Sequence, residues 1–220
     1  INQGQVYRVR SSILNHYFVS YDPNVRKYGV INTTGEIVIE NKYDELILIP
    51  DKEKDLFLVT ENVDYENGTY AINKNGNIVI KDYQDLKPIE YTGKNVEYDT
   101  NLLQFKKDGK YGFLRFDGTQ SFKNIFDEVK VMKNIPNRLL VKENGKYGII
   151  NTETSDYIVP TLYKSVEPIV ADKDTAYIVK FDKKSGIFGS NGKEILPSEY
   201  DNIEKINSLD FFKAIKNKET

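Results

Sequence analysis

An all-β fold made of tandem repeats of about 40 residues is what this sequence predicts. Three observations predict it. One anchor motif recurs five times in register, each copy carries readable turn chemistry, and no segment of useful length shows a helical period.

Four segments align on a glycine that follows a polar turn: KYGVINTTGEIVI from Lys27, GTYAINKNGNIVI from Gly68, KYGFLRFDGTQSF from Lys110 and KSGIFGSNGKEIL from Lys184. A fifth, KYGIINTETSDYIV from Lys146, fits at first and then slips by one residue. The anchor positions Tyr28, Thr69, Tyr111, Tyr147 and Ser185 are 41, 42, 36 and 38 residues apart, a regularity that chance does not produce.

Within a copy the elements follow in a fixed order. A leading strand such as Leu139–Lys142 runs into Asn144-Gly145 and then into the anchor strand Lys146–Ile150. Asn-Gly between two apolar runs signals a type I′ hairpin, because both central residues need positive φ. Asp108-Gly109 and Asn67-Gly68 repeat the signal. The next turn carries Gly35, Gly76, Gly118 or Gly192, which suits a type I turn with glycine in the left-handed position. In the fourth copy Thr154 takes the glycine's place, and the slip follows from it.

A third strand comes next, then an aromatic with acidic or polar neighbours: Tyr43-Asp44-Glu45, Tyr83-Gln84-Asp85, Phe126-Asp127-Glu128, Tyr163-Lys164-Ser165 and Tyr200-Asp201-Asn202. The last segment contains Pro88 in one copy and Pro168 in another. Proline cannot donate to a ladder, so this piece is an edge strand or a connector. One unit is then a three-stranded meander plus an edge segment.

Complete units are placed at about 14–50, 54–90, 101–133, 137–170 and 175–206, with partial units at 1–13 and 207–220, all within one repeat domain, 1–220. Stacked units give an open solenoid of β-hairpins or meanders. The alternative is a β-propeller, since four strands per ~40 residues is also a blade's size. The two partial ends would leave a closing blade without its anchor strand, and uneven spacing suits an open array. Val30, Ile31, Ile37, Ile39, Ala71, Ile72, Ile78, Ile80, Phe113, Ile149, Ile150 and Ile187 recur at equivalent places and are expected to form one buried ladder.

Composition narrows the function. Basic and acidic residues number 31 and 33 and are interleaved, so there is no basic stripe for a nucleic acid. The absence of cysteine removes disulfides, zinc ribbons and thiol nucleophiles. The longest aliphatic run, Leu46–Ile49, is far short of a membrane span, so no membrane insertion is expected. The glycines form no phosphate loop or dinucleotide fingerprint, and no cofactor is expected. The chain opens on Ile1 and is rich in Lys, Asn and Tyr, which points to a bacterial protein, processed or cut from a longer one, at the cell surface or exported.

Candidate chemistry is sparse. His16 is the only histidine, and as a general base it would need a carboxylate orienter and a nucleophile; the residues around it supply no nucleophile elbow. Asp44-Glu45 and Asp127-Glu128 could serve glycoside hydrolysis or calcium. An acid recurs at one repeat position, however, as Asp44, Asp127 and Asp201. Catalytic pairs arise once per domain, so a turn or capping role is expected instead. No catalytic and no metal residues are therefore assigned, and the chain is read as no enzyme. The anchors Tyr28, Tyr111 and Tyr147 are read as core, whereas Tyr65, Tyr91 and Tyr98 lie in longer connectors and are the surface candidates for a ligand. Residues 91–98 form the most loop-like insertion.

Together the aromatic-Gly anchor, the turn glycine, the Ile-Val-Ile strand and the Tyr-Asp-x-aliphatic motif resemble the bacterial WG-repeat (KWG) family, over roughly Tyr17 to Phe212. The family's signature is Trp-Gly after Lys; here Tyr28-Gly29, Tyr111-Gly112 and Tyr147-Gly148 stand in for it, and Thr69-Tyr70 and Ser185-Gly186 depart further. The resemblance implies a repeat module and no enzymatic activity. The function expected is binding, with a protein as the partner and a carbohydrate or cell-envelope glycan as the alternative.

Overall fold

The computed structural model describes residues 16–61, 68–94, 97–171, 174–206 and 212–217. Every regular element among them is a strand. β1 (Tyr17–Asp22), β2 (Lys27–Asn32) and β3 (Ile37–Tyr43) form a first sheet, and β4 (Phe57–Thr60), β5 (Thr69–Ile72) and β6 (Ile78–Ile80) a second. The third sheet holds β7 (Gln84–Tyr91), β8 (Glu97–Lys107), β9 (Lys110–Arg115) and β10 (Gln120–Phe126). The fourth holds β11 (Glu128–Met132), β12 (Ile135–Glu143), β13 (Lys146–Asn151) and β14 (Asp156–Tyr163). β15 (Ser165–Ala171), β16 (Asp174–Phe181), β17 (Lys184–Gly189) and β18 (Glu194–Tyr200) make the fifth, and β19 (Asn202–Lys205) pairs with β20 (Phe212–Ile215). Consecutive strands are neighbours throughout, and no sheet closes into a barrel.

The turn chemistry explains these meanders. At Asp108-Gly109 φ is +52° and +76°, and at Asn144-Gly145 it is +49° and +78°, the two left-handed residues a type I′ hairpin requires. At the second turn Gly35 donates to the Asn32 carbonyl at 3.0 Å, and the Asn32 side chain accepts from the N–H groups of Thr34 and Glu36. Asn73 does the same for Asn75 and Asn77. In the fourth copy the left-handed residue is Ser155, at φ +61°, one place beyond Thr154.

The chain divides into two compact units, Ile1–Glu90 with Glu97–Asn124, and Tyr91–Val96 with Ile125–Thr220. In the first, the first and second sheets bury Val30, Ile39, Tyr43, Phe57, Val59 and Ile72 between them. The second and third bury Leu58, Ala71, Ile80, Leu103, Phe105 and Leu114. In the other unit, the fourth and fifth sheets share a core of Ile149, Val159, Tyr163, Tyr177 and Val179. Consecutive sheets thus pack against each other within each unit, as expected of a repeat array. Central strands are covered on both faces, so neighbours such as Val30 and Ile31, or Ile149 and Ile150, are buried together.

Two expectations need correction. The edge segment does not close its own sequence unit: β7, β11, β15 and β19 each pair with the strand that follows. Pro88 and Pro168 do lie on outer strands, β7 and β15, the strands on which a sheet tolerates proline. The buried ladder also loses Ile37 and Ile78, which are 60% and 55% exposed. Both open an outer strand, and the inward side of that strand is taken by Ile39 and Ile80.

Candidate functional site

The recurrent acids have a definite structural task. Asp44 accepts from the Lys27 ammonium at 2.5 Å, and Asp201 pairs with Lys184 at the equivalent place. The lysine that precedes each anchor thus meets the acid that follows the motif aromatic, 17 residues on in both copies. In both copies the acid is an ion-pair partner across the meander. Glu128 lies between Lys130 at 2.7 Å and Lys142 at 3.0 Å, and hydrogen bonds from both hold its carboxyl below the usual range. Among the described residues no three His, Cys, Asp or Glu side chains gather as a metal would need.

His16 Nε2 lies 3.2 Å from the exposed Glu53 carboxylate. The nearby Thr33 hydroxyl is committed to the His16 backbone, accepting from its N–H at 2.7 Å and donating to its carbonyl.

The tyrosine candidates separate. Tyr65 lies outside the described residues. Tyr91 is only 6% exposed, so it is a core residue and not a surface platform; it ends β7 and packs inward. Tyr98 is half-buried on β8, and burial, then the Glu90 charge, raises its pKa. Gly35, Gly76, Gly118 and Gly192 have φ of +82°, +77°, +86° and +80°.

Two concavities among the described residues are lined by polar side chains. One, of about 420 Å³, is lined by Lys81, Asp82, Tyr83, Gln84, Lys106 and Lys107 with their neighbours. The other, of about 230 Å³, lies in the second unit, among Asn134–Arg138, Glu153, Thr175, Tyr177 and Ser190. Its construction starts in the backbone. β11 turns into β12 through Asn134, at φ +60°, and Asn137 takes φ +59° inside β12, a conformation asparagine tolerates better than most residues. Between them Pro136 can donate no ladder bond. The Asn137 carbonyl accepts from the Arg138 guanidinium at 2.8 Å and from the Thr152 N–H at 3.2 Å, which fixes the kink. The insertion braces it from outside: Asn134 donates to the Thr92 carbonyl at 2.9 Å, and its side chain accepts from the Lys94 N–H.

Tyr177 is the fully buried member of this lining, and its hydroxyl has no hydrogen-bond partner. Leaving such a group unpaired costs about 1–3 kcal/mol. Burial raises its pKa, while Arg138 opposes that rise through its charge and as a nearby hydrogen-bond donor, short of a bond of ordinary geometry. Ser190 donates to the Asp174 carboxylate and, with the Thr175 N–H, holds it in the charged form. Sequence reasoning missed Tyr177 and Arg138. The signal present was Asn134-Ile135-Pro136-Asn137, two turn-prone asparagines and a proline interrupting an apolar run.

Residues 28–62 match the model of the WG containing repeat family. No curated protein matches the chain. Matching solved structures include PorZ, a bacterial surface component of the type-IX secretion system of Porphyromonas gingivalis, at 8% identity and a TM-score of 0.29. That match covers 90% of this chain and spans only 28% of PorZ. A putative exported protein of Bacteroides fragilis matches at 10% identity and a TM-score of 0.28, over 90% of this chain and 76% of that one. Likeness at that level carries no argument about function. No helix among the described residues is long and apolar enough to cross a membrane.

Proposed function

We propose that this chain, which carries a WG containing repeat, is a non-enzymatic binding module whose partner is another protein. One observation supports this most. Ile37, Ile78 and Tyr157 stand opposite Ile31, Ile72 and Ile150, the same place in three copies, and are 60%, 55% and 39% exposed. Each lies on the outer strand of its sheet. A large apolar side chain left bare at one repeat position, amid a charged surface, is the kind of feature that a partner covers. The bulges in these outer strands hinder simple edge-to-edge pairing, so side chains rather than the bare backbone would make the contact. A bacterial cell-surface or exported location belongs to the same proposal, and the full-length gene tests it: an N-terminus lacking any export signal removes it.

The experiment pairs affinity capture from bacterial and host lysates with a glycan array. The doubly substituted Ile37→Lys, Ile78→Lys chain should lose its captured proteins while its circular dichroism stays that of the parent. Capture that survives both substitutions, or binding to purified glycans with no protein held, reverses the reading in favour of a glycan.

A further inference from the structure

We infer that the surface around Leu162 and Phe181, where β14 ends and β16 meets its hairpin turn, docks an acidic segment of a partner protein, one that carries bulky apolar side chains between carboxylates. It lies on residues other than the outer-strand isoleucines Ile37 and Ile78, and stands or falls apart from them.

The next copy shows what this place can hold instead. Ser165 pairs with Lys180 as Asn202 pairs with Ile215, so Phe181 and Lys216 are equivalent. Leu162 and Glu199 are equivalent too, each one residue before the motif aromatic, Tyr163 or Tyr200. Lys216 lies over the Tyr200 ring, 5.8 Å from its centre, and pairs with Glu199. Phe181 stands by the Tyr163 ring in the same way, with centroids 6.3 Å apart. Where one copy has an ion pair, the other therefore has apolar side chains on both sides, Leu162 and Phe181, each 55% exposed. A single bare leucine needs no explanation, but two apolar side chains together in place of a charged pair make a patch for a partner to cover.

The rim sets the charge of that partner. Lys164 donates its N–H to the Lys180 carbonyl and so stands across from Phe181, and Lys183 follows Phe181 in the turn. Lys164, Lys180 and Lys183 are exposed and make no ion pair with a described residue, whereas Lys184 is bound to Asp201. Against them the hairpin sets one unpaired carboxylate, Asp182. Glu194, whose charge reaches Tyr163, pairs opposite Phe188 at the other end of β17. An apolar centre holding an aromatic, with a rim of one sign, fits a partner of the opposite sign. Asp182, left-handed at φ +51°, sits within the turn itself, where an anionic bilayer or a phosphate chain would meet it. A peptide can set its acids beside the lysines and its apolar side chains on Leu162 and Phe181.

Fluorescence anisotropy with the full 220-residue chain and a labelled Asp-Glu-Leu-Phe-Glu-Asp peptide tests this. The peptide should bind saturably, and added salt should weaken it. The double substitution Leu162→Glu, Phe181→Lys gives this place the pair its neighbour carries. It should weaken binding about tenfold or more while the melting temperature stays that of the parent. Lys164→Glu, Lys183→Glu should weaken the same peptide and gives a second measure should the first variant fold poorly. The Ile37→Lys, Ile78→Lys chain should bind the peptide as the parent does, which separates this surface from the outer-strand row. No saturable binding, binding untouched by both pairs of substitutions, or equal binding of a peptide with serine for its apolar residues or lysine for its acids overturns the inference. So does capture of the chain by phosphatidylserine vesicles in place of the peptide, or a dimer of the chain that Leu162→Glu, Phe181→Lys dissolves.

Discussion

In the first copy Gly29 lies beneath the third strand, where a Cβ would stand 2.5 Å from the Ile39 carbonyl oxygen and 2.9 Å from the Asn41 nitrogen. In the second copy Tyr70 holds that position. With the glycine, pairing jumps from Val30↔Ile39 to Tyr28↔Tyr43, so Glu40, Asn41 and Lys42 bulge over the bare backbone. The strand then runs on and delivers Tyr43 to the core, 3% exposed. With the tyrosine, pairing stops at Ala71↔Ile80, β6 is three residues long, and Tyr83 remains half-buried outside it. Lys81, Asp82 and Tyr83, past the end of that strand, line the larger cavity. The glycine of the anchor is therefore a seat for a bulge, and its loss leaves a shorter strand and a hollow.

The strongest way to break this comparison is Gly148→Val in the fourth copy. A Cβ there meets the Val159 carbonyl oxygen at 2.5 Å and the Pro160 backbone at 2.9 Å, so urea denaturation should show a loss of about 3 kcal/mol or more. Gly35→Val has open space and only its φ of +82° against it, and should cost about 1–2 kcal/mol. Equal losses at the two positions would show that conformation, not close approach, is what both glycines serve.

The converse change is Tyr70→Gly, which removes a ring packed on the first core and should cost about 2 kcal/mol by the same measurement. If a missing Cβ is enough to seat the bulge, hydrogen exchange should slow beyond Ile80 toward Tyr83 in this variant. Unchanged exchange there would mean that the second copy's third strand lacks more than a glycine.

The smallest effect concerns alkaline pH. Tyr70 has its pKa raised by burial first, then by Tyr43 and Glu61. Tyr17, bonded to Asp55, is raised from 10.0 to about 12. A phenol whose folded pKa is raised stabilises the fold fully below its unfolded pKa and loses that contribution as pH rises through the folded one. The urea midpoint should thus hold to about pH 10 and fall as pH approaches 12. Tyr17→Phe should flatten that part of the fall, leaving the part owed to Tyr70 at higher pH. A midpoint that declines equally in both proteins would deny Tyr17 its role.

Much of this fold was legible because turns are written in single residues. Asn144-Gly145 can be read as a type I′ turn without any knowledge of its surroundings, and Thr154 forewarned of the shift to Ser155. The partner of the closing segment was not legible. β7 and β15 carry prolines as an outer strand does, but a strand's hydrophobic pattern does not say whether its ladder runs to the strand before or the one after. Nor does it say which strand lies outermost, and so Ile37 and Ile78 were expected inside. The second-unit cavity was harder still. Tyr177 is an ordinary core tyrosine by pattern, and only the left-handed turns at Asn134 and Asn137 bring Arg138 and the lining about its hydroxyl.

The offset between sequence period and sheet bears on how such a chain can grow. The third, fourth and fifth sheets each take their first strand from one copy and the rest from the next: β11 follows Phe126 of the third copy, while β12, β13 and β14 belong to the fourth. A gene that gains or loses one whole period then yields whole sheets wherever the crossover falls. Cutting the protein at the motif aromatic would separate complete sheets, whereas cutting between β11 and β12 would strip one sheet of its outer strand. Recombination is thereby freer in this architecture than truncation is.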